Sequence, residues 1–172
     1  PSVITDGDLV LAETNAIIDY LLDRYPNDRL RPPAGAPHRA RYLFWYHTGQ
    51  GTLTPLMLNE TFFTLIRQRV PFLFKPLVVL VLNRAADGFL KPRLRRLLAK
   101  AEQDLGEVPW FGGETLTAAD IVLSYAMESA KLKGYLTEAH PNCRAWLERM
   151  YADPAFQAAK ARDGREQMVL AP

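Results

Sequence analysis

The hydrophobic pattern opens with two short β-like runs and then becomes helical. Residues 2–5 (SVIT) and 9–11 (LVL) flank Asp6-Gly7-Asp8, and an Asp-Gly pair between β-branched runs predicts a β-hairpin. Apolar residues then recur at helical spacing as far as Pro26, which ends the predicted helix because the residue before a proline avoids the helical conformation. The apolar stripe of this helix consists of Ile17, Ile18, Leu21, Leu22 and Tyr25.

The rest of the chain is helical in character. Residues 26–38 (PNDRLRPPAGAPH) contain four prolines and one glycine, which is typical of a semi-rigid linker. Beyond the linker, the pattern predicts a long aromatic-rich helix over 39–69 with a bend at Pro55. It also predicts a central buried helix over 117–131, which is apolar nearly all round. Further helices are predicted over 72–84, 92–103, 141–151 and 154–162.

Residues 70–82 (VPFLFKPLVVLVL) raise the question of a membrane. These 13 residues include one lysine and two prolines, whereas a spanning helix needs about 20 apolar residues. We therefore expect a buried or interfacial helix and no membrane partner. A membrane-associated protein that uses this stretch is the least favoured of the functional hypotheses below.

Composition and charge fit an ordinary globular domain. Of the 172 residues, 48% are apolar and 23% are charged, and a net charge of +2 is too small to indicate a nucleic-acid partner. The single cysteine, Cys143, rules out a disulfide within the chain and fits a reducing, cytoplasmic compartment; we expect its thiol to be buried. The three histidines lack metal-ligand spacing and no Cys-x-x-Cys pair is present, so we expect no metal.

The hairpin at the start is unusual when taken alone. A two-stranded hairpin is at best marginally stable in water, and no later segment is typical of a strand. We therefore expect its partner strands to lie upstream of this sequence, so that residues 1–25 are the end of a larger sheet domain.

Two local motifs carry candidate chemistry. Thr117-Ala118-Ala119-Asp120 has the pattern of a capping box. We interpret Thr117 and Asp120 as structural, because their groups would satisfy the unpaired amides at a helix end. Glu13 and Thr14 lie at the start of the first helix, whose expected N-cap is Thr14 or Asn15.

The Glu13-Thr14 pair allows two interpretations. The unpaired amides of a helix N-terminus and the Thr14 hydroxyl suit a carboxylate, while Glu13 can pair with an ammonium group. The pair therefore suits an amino-acid head group, which carries both charges close together. In the second interpretation, Thr14 only caps the helix and Glu13 only interacts with the helix dipole. Spacing alone leaves both open.

Three stretches in chain order resemble the glutathione S-transferase family. Residues 1–21 (PSVITDGDLVLAETNAIIDYL) are similar to the end of its thioredoxin-like domain, and residues 113–121 (GETLTAADI) to the capping motif of its helical domain. Residues 42–55 (YLFWYHTGQGTLTP) resemble the first long helix of a bacterial and fungal subgroup. The chain departs from the family at Thr14, where serine is commoner, and at Gln50, where glutamate is frequent. It also lacks the family's first strand, first helix and second strand.

The resemblance implies a fold and a set of binding residues. The fold is a remnant of an α/β thioredoxin-like domain (1–25), a linker (26–38) and an all-helical domain (39–172). Glutathione is the implied substrate, with a small hydrophobic electrophile as its reaction partner and a homodimer when the protein is full length. The implied glutathione contacts are Glu13 and Thr14, with Ser2 and Val3 as weaker candidates. The implied pocket residues are Tyr46, His47 and Gln50, although core packing or surface positions would explain them too.

We carry three functional hypotheses, two from this resemblance and one from the apolar stretch at residues 70–82. The first is a transferase that conjugates the glutathione thiolate to hydrophobic electrophiles in detoxification. The family's thiol-activating Tyr, Ser or Cys would precede Pro1, so we assign no catalytic residue and expect this chain alone to be inactive. The second is a non-catalytic module that binds glutathione or another protein. The third is the membrane-associated protein mentioned above.

Overall fold

The computed structural model describes residues 2–27 and 29–163, which begin with a hairpin and continue as helices. Strands β1 (Val3–Asp6) and β2 (Leu9–Ala12) pair antiparallel, with Asp6 opposite Leu9. Gly7 and Asp8 are therefore the turn residues, and the φ of 60° at Gly7 places the glycine at the first central position, as a type II′ turn requires. The predicted hairpin is confirmed, with its turn centred on Gly7-Asp8.

The helical part follows the predicted order. The longest helix among the described residues is α5, which begins one residue before and ends four residues after the predicted range of 92–103 and buries Leu94, Leu98 and Leu105. The helices are α1 (Thr14–Arg24), α2 (Arg39–Thr48), α3 (Thr54–Arg69), α4 (Lys75–Ala85), α5 (Lys91–Glu107), α6 (Ala118–Leu132), α7 (Pro141–Ala152) and α8 (Pro154–Asp163).

The predicted bend in the first long helix takes the form of a π turn. Residues Gly49–Leu53 form a π segment between α2 and α3, and a second one, Ala86–Leu90, joins α4 to α5. The irregularity precedes Pro55, which lies within the first turn of α3, where a proline is tolerated. At Gly49 a Cβ atom would lie 2.5 Å from Val122 Cγ1, so the glycine allows this turn to pack closely on α6.

Helix α6 is the centre of the core, as the sequence predicts. Most of its residues are buried, including Leu123 and Met127. Beside it runs a row of three aromatic rings, in which the Phe111 centroid lies 4.6 Å from that of Trp45 and 5.0 Å from that of Trp146. This row joins α2, the loop before α6, and α7.

The carboxylate of Asp120 lies in the middle of this core and accepts four hydrogen bonds. Oδ1 accepts from the Phe111 amide and Trp146 Nε1, both at 2.8 Å. Oδ2 accepts from the Thr117 amide at 2.9 Å and the Thr117 hydroxyl at 2.8 Å. Thr117 and Asp120 thus form a capping box at the start of α6. Burial raises the pKa of Asp120, and the four donors oppose that rise.

The linker is bound to the helices on both of its sides. The Leu30 carbonyl accepts the Ala118 amide at 2.9 Å, which satisfies one of the unpaired donors at the start of α6. Arg31 donates to the backbone carbonyl of Asp19 at 2.9 Å and to its carboxylate at 3.1 Å. Arg39 donates to the Pro32 carbonyl at 2.7 Å. These contacts fix the path between α1 and α2.

Helix α4 is not buried, contrary to one of the two expectations for this stretch. None of its residues is buried, and Leu77, Leu80 and Val81 are all more than half exposed. Across the described part of the chain, every helix is too short or too polar to cross a bilayer. The stretch is therefore an exposed apolar surface.

Replacing the Asp120 carboxylate by an amide is expected to destabilise the fold strongly. In Asp120→Asn the amide nitrogen would face donors that can no longer pair, and each unsatisfied buried donor costs about 1–3 kcal/mol. We expect the free energy of unfolding to fall by about 3 kcal/mol or more, as measured by urea denaturation.

Asp87→Asn is the matched control, because Asp87 pairs with Lys91 on the surface, where ion pairs contribute little to stability. Its urea midpoint should stay close to that of the parent. Equal midpoints for the two variants would contradict the role given to Asp120.

Candidate functional site

The hairpin and α1 meet at a tight turn around Glu13. Val3 lies directly opposite Ala12 in the β1–β2 ladder, so the start of β1 lies beside the end of β2. Glu13 then follows Ala12, and α1 begins at Thr14. The structure therefore brings Ser2 and Val3 into the neighbourhood of Glu13 and Thr14, as the predicted site requires. Ser2, Val3 and Glu13 are exposed, and Thr14 is half-buried.

The backbone of Glu13 is strained. Its φ is 77° and its ψ is 123°, and among the described residues it is the only non-glycine with positive φ. Such a conformation costs a residue with a side chain about 1–3 kcal/mol and persists only when its surroundings enforce it. Strain of this kind clusters at ligand-binding turns, so Glu13 is a candidate for a functional role.

The start of α1 is open to an anion. The Glu13 carbonyl accepts the Ile17 amide at 2.9 Å, which makes Glu13 the N-cap position. The prediction of Thr14 or Asn15 as the N-cap is therefore wrong, because the strained turn at Glu13 lets the helix begin one residue earlier. No side chain caps this end and its first turn has no acidic residue. The first amides of the helix are thus available to an external acceptor.

A second contact holds this helix start against α2. The Tyr46 hydroxyl donates to the Asn15 carbonyl at 3.0 Å, and Asn15 Nδ2 donates to the Tyr46 carbonyl at 3.4 Å. Tyr46 is only 2% exposed, and burial raises the pKa of its hydroxyl well above the usual value, so it keeps its proton and remains a donor. The sequence offered no sign of this pairing, because the two residues are 31 positions apart.

The other side of α1 is tied to the hairpin. The Tyr20 hydroxyl donates to Asp6 Oδ2 at 2.6 Å, and Arg24 Nε lies 3.2 Å from the same oxygen. Together with the Tyr46 contact, these bonds fix α1 at both its start and its middle. The turn at Glu13 therefore lies between two anchored elements.

The predicted pocket residues lie in different surroundings. Tyr46 and His47 border a crevice of about 360 Å³ whose wall includes charged residues such as Asp19 and Arg31. His47 is exposed and its ring centroid lies 5.3 Å from that of Tyr46. Gln50 is half-buried in the π turn and is not among the described residues that line the crevice. Their role in an electrophile pocket remains a prediction.

A second, larger cavity was not predicted from the sequence. It has a volume of about 550 Å³ and lies between the linker, α6 and α8, where mainly apolar side chains surround it. The sequence contained one signal, because the apolar residues Ile121 and Tyr125 are four positions apart on α6. The structure shows that both line the cavity and are about 40% exposed. The apolar wall is formed by Leu30, Leu116, Ile121, Tyr125, Met150 and Phe156.

Neither the cysteine nor the metal-ligating side chains of the described residues form a reactive centre of their own. Cys143 is fully buried, as predicted, and burial raises the pKa of its thiol, so the sulfur stays protonated and unreactive. Within 2–27 and 29–163, His, Cys, Asp and Glu side chains do not gather in any group of three that could hold a metal ion.

The chain is similar in sequence to known glutathione S-transferases. Residues 81–149 match the family model "Glutathione S-transferase, C-terminal domain". The chain is 32% identical over 165 residues to the glutathione S-transferase-like protein tpcF of Aspergillus fumigatus. This alignment covers 90% of this chain and 69% of that protein. It is 29% identical to glutathione S-transferase F14 of Arabidopsis thaliana, covering 90% of this chain and 60% of that protein.

A solved structure supports the same comparison. A glutathione S-transferase from Xylella fastidiosa superposes with a TM-score of 0.73 at 26% identity, over 94% of this chain and 74% of that one. The chain thus spans between 60% and 74% of the length of these three proteins.

Removing the Tyr46 hydroxyl is expected to loosen the start of α1. Tyr46→Phe leaves the Asn15 carbonyl without its donor, so the free energy of unfolding should fall by about 0.5–1.5 kcal/mol. Urea denaturation measures this change. Tyr125→Phe, which removes a hydroxyl from a partly exposed ring, is the control and should leave the midpoint unchanged. Equal effects of the two variants would argue against a structural bond at Tyr46.

Proposed function

Because the chain belongs to the glutathione S-transferase family, we propose that its Glu13-Thr14 turn binds the γ-glutamyl end of glutathione. The observation that carries the proposal is the strained, exposed Glu13 at the uncapped start of α1. Any residue with a side chain is strained in this backbone conformation. Capping of the helix does not explain why a glutamate occupies it, because the Glu13 side chain forms no capping hydrogen bond.

The turn matches both charges of an amino-acid head group. In the proposed complex, Glu13 accepts a hydrogen bond from the ligand ammonium. The ligand carboxylate accepts from the first amides of α1 and from the Thr14 hydroxyl, with support from the positive end of the helix dipole. Hydrogen bonds to charged groups contribute about 1.5–3 kcal/mol each, which is enough for two of them to anchor a tripeptide.

We assign a smaller role to the start of β1. Ser2 and Val3 are exposed, and Val3 lies opposite Ala12, the residue before Glu13. An extended ligand backbone can form main-chain hydrogen bonds to an exposed strand end of this kind. Ser2 and Val3 are placed to hold the middle of the tripeptide in this way.

The chemistry we propose for the whole protein is conjugation of glutathione to a small hydrophobic electrophile. The thiolate sulfur forms a bond to an electrophilic carbon, and the leaving group departs with the bonding pair. A thiol with a pKa near 8.5 is only about 3% ionised at pH 7, so the reaction needs a donor aimed at the sulfur. We place that donor upstream of Pro1, and expect a cytoplasmic homodimer acting in detoxification.

A non-catalytic binding module is the second candidate. It is favoured because two described side chains of the types that could activate a thiol, one tyrosine and the cysteine, are not available to do so. The Tyr46 hydroxyl is committed to the Asn15 carbonyl, and the Cys143 thiol is buried. Turnover of a chlorinated aromatic by the full-length gene product separates the two candidates, because only the transferase releases chloride.

Two substitutions at Glu13 separate binding from strain. Glu13→Gln keeps the strained backbone and removes the charge, so glutathione affinity should fall by about tenfold or more with unchanged stability. Glu13→Gly also loses the carboxylate, but it relieves the positive φ. Its affinity should fall equally, while its free energy of unfolding rises by about 1 kcal/mol. Isothermal titration calorimetry with glutathione and urea denaturation measure the two quantities.

Glu114→Gln, at an exposed position in the loop before α6, is the control for loss of a carboxylate and should leave both quantities unchanged. Undiminished glutathione binding by folded Glu13→Gln would remove the basis of the proposal. A stability loss in Glu13→Gly would show that Glu13 has a structural role instead.

A further inference from the structure

We propose that the connection between α3 and α4 is a docking site for an anionic phospholipid surface. The site, here called the apolar tip, comprises residues 71–77 (PFLFKPL), all of which are exposed. This inference is independent of the glutathione site, which lies at the start of α1. It reverses the expectation of no membrane partner, because the apolar stretch that was expected to be buried or interfacial has no buried residue in α4.

The apolar tip exposes an unusual amount of hydrophobic surface. Phe72 is 87% exposed, Leu73 is 70% exposed and Phe74 is 58% exposed. The surface continues along the outer side of α4 through Leu77, Leu80 and Val81, and along the end of α3 through Phe62 and Ile66. Contiguous apolar patches of this kind mark interaction sites, whereas single exposed apolar residues do not.

The backbone of the tip is already ordered. The Phe74 amide donates to the Pro71 carbonyl at 3.0 Å, the Lys75 amide to the Phe72 carbonyl at 3.3 Å, and the Val78 amide to the Phe74 carbonyl at 3.1 Å. These bonds give the tip a defined backbone conformation before it binds, so it loses little conformational entropy on docking.

Charge identifies the partner. Residues 61–86 contain four of the 21 basic residues of the chain and none of its 19 acidic residues. The segment therefore carries a net charge of +4, while the rest of the chain carries −2. Arg69 and Lys75, which are both exposed, flank the tip directly. An apolar surface with a basic border is the arrangement that binds to anionic lipid headgroups.

The same charges oppose self-association through this face. In a two-fold dimer centred on the tip, Arg69 and Lys75 of one copy would lie close to those of the other, and residues 71–77 contain no acidic residue to pair with them. An anionic bilayer instead satisfies the apolar and the basic parts together. Helix α4 has 11 residues, too few to span, so the tip would dock at the headgroup boundary and not cross it.

Vesicle flotation of the full chain tests the proposal. The probes are phosphatidylcholine vesicles with and without about 30% phosphatidylserine. We expect binding to the anionic vesicles and little to the neutral ones. Raising the ionic strength from about 0.1 M to about 1 M should weaken binding, because it shortens the Debye length from roughly 10 Å to roughly 3 Å.

Variants assign the binding to the tip. Arg69→Gln with Lys75→Gln should weaken binding to anionic vesicles by about 25-fold, since each basic residue near the membrane contributes roughly fivefold. Phe72→Ser with Leu73→Ser should weaken it by about tenfold or more. Lys160→Gln with Arg162→Gln in α8, and Leu132→Ser at an exposed position of α6, are the matched controls and should bind like the parent.

Failure of the folded parent to float with anionic vesicles would overturn the proposal, as would equal binding by the tip variants and the controls. Sedimentation identifies the competing occupant. The parent protein could sediment as a dimer and fail to float, while the variant Phe72→Ser with Leu73→Ser sediments as a monomer. That result would show that the tip contacts a second copy of the chain and not a membrane. The tip variants should bind glutathione like the parent. Failure of the membrane proposal would then leave the proposed function of the Glu13 turn unaffected.

Discussion

The described fold depends on one buried carboxylate. Asp120 accepts four hydrogen bonds, and its donors come from the loop before α6, from the start of α6 and from α7. A charge without partners at this depth would be very costly, so the arrangement forms only when all three segments are in place. Phe111, held by its amide, packs between the rings of Trp45 and Trp146 and extends the constraint to α2. The carboxylate therefore makes the packing of four segments mutually dependent.

A sequence of contacts leads from this core to the binding turn. The start of α6 also donates to the Leu30 carbonyl of the linker, and the π turn at Gly49 packs against Val122 of α6. These contacts position α2, whose Tyr46 holds the start of α1 through Asn15. The strained backbone of Glu13 is thus held by contacts that run from α6 through α2 to the start of α1. A hairpin and a single helix could not hold it alone, because a two-stranded sheet is marginally stable by itself.

Local patterns allowed much of the fold to be predicted. The hairpin, the central helix and the family resemblance are confirmed, because each follows from turn residues, periodicity or short motifs within a few positions. The geometry of the site depended on interactions that periodicity does not encode. The positive φ of Glu13 contradicts the ordinary preference of glutamate, and the Asn15–Tyr46 contact joins residues 31 positions apart. The exposure of α4 was not decided by the sequence either, because an apolar run has the same pattern whether it is buried or free.

The two buried tryptophans give the molecule an internal optical reporter. Trp146 donates to Asp120, and Trp45 donates to Asp104 at 2.8 Å, so each indole is held against a carboxylate in the dry interior. The third, Trp110, is half-buried in the adjoining loop. Exposure to water shifts indole emission to longer wavelengths. The fluorescence of this chain therefore reports on the integrity of the aromatic row around Asp120, without any added label.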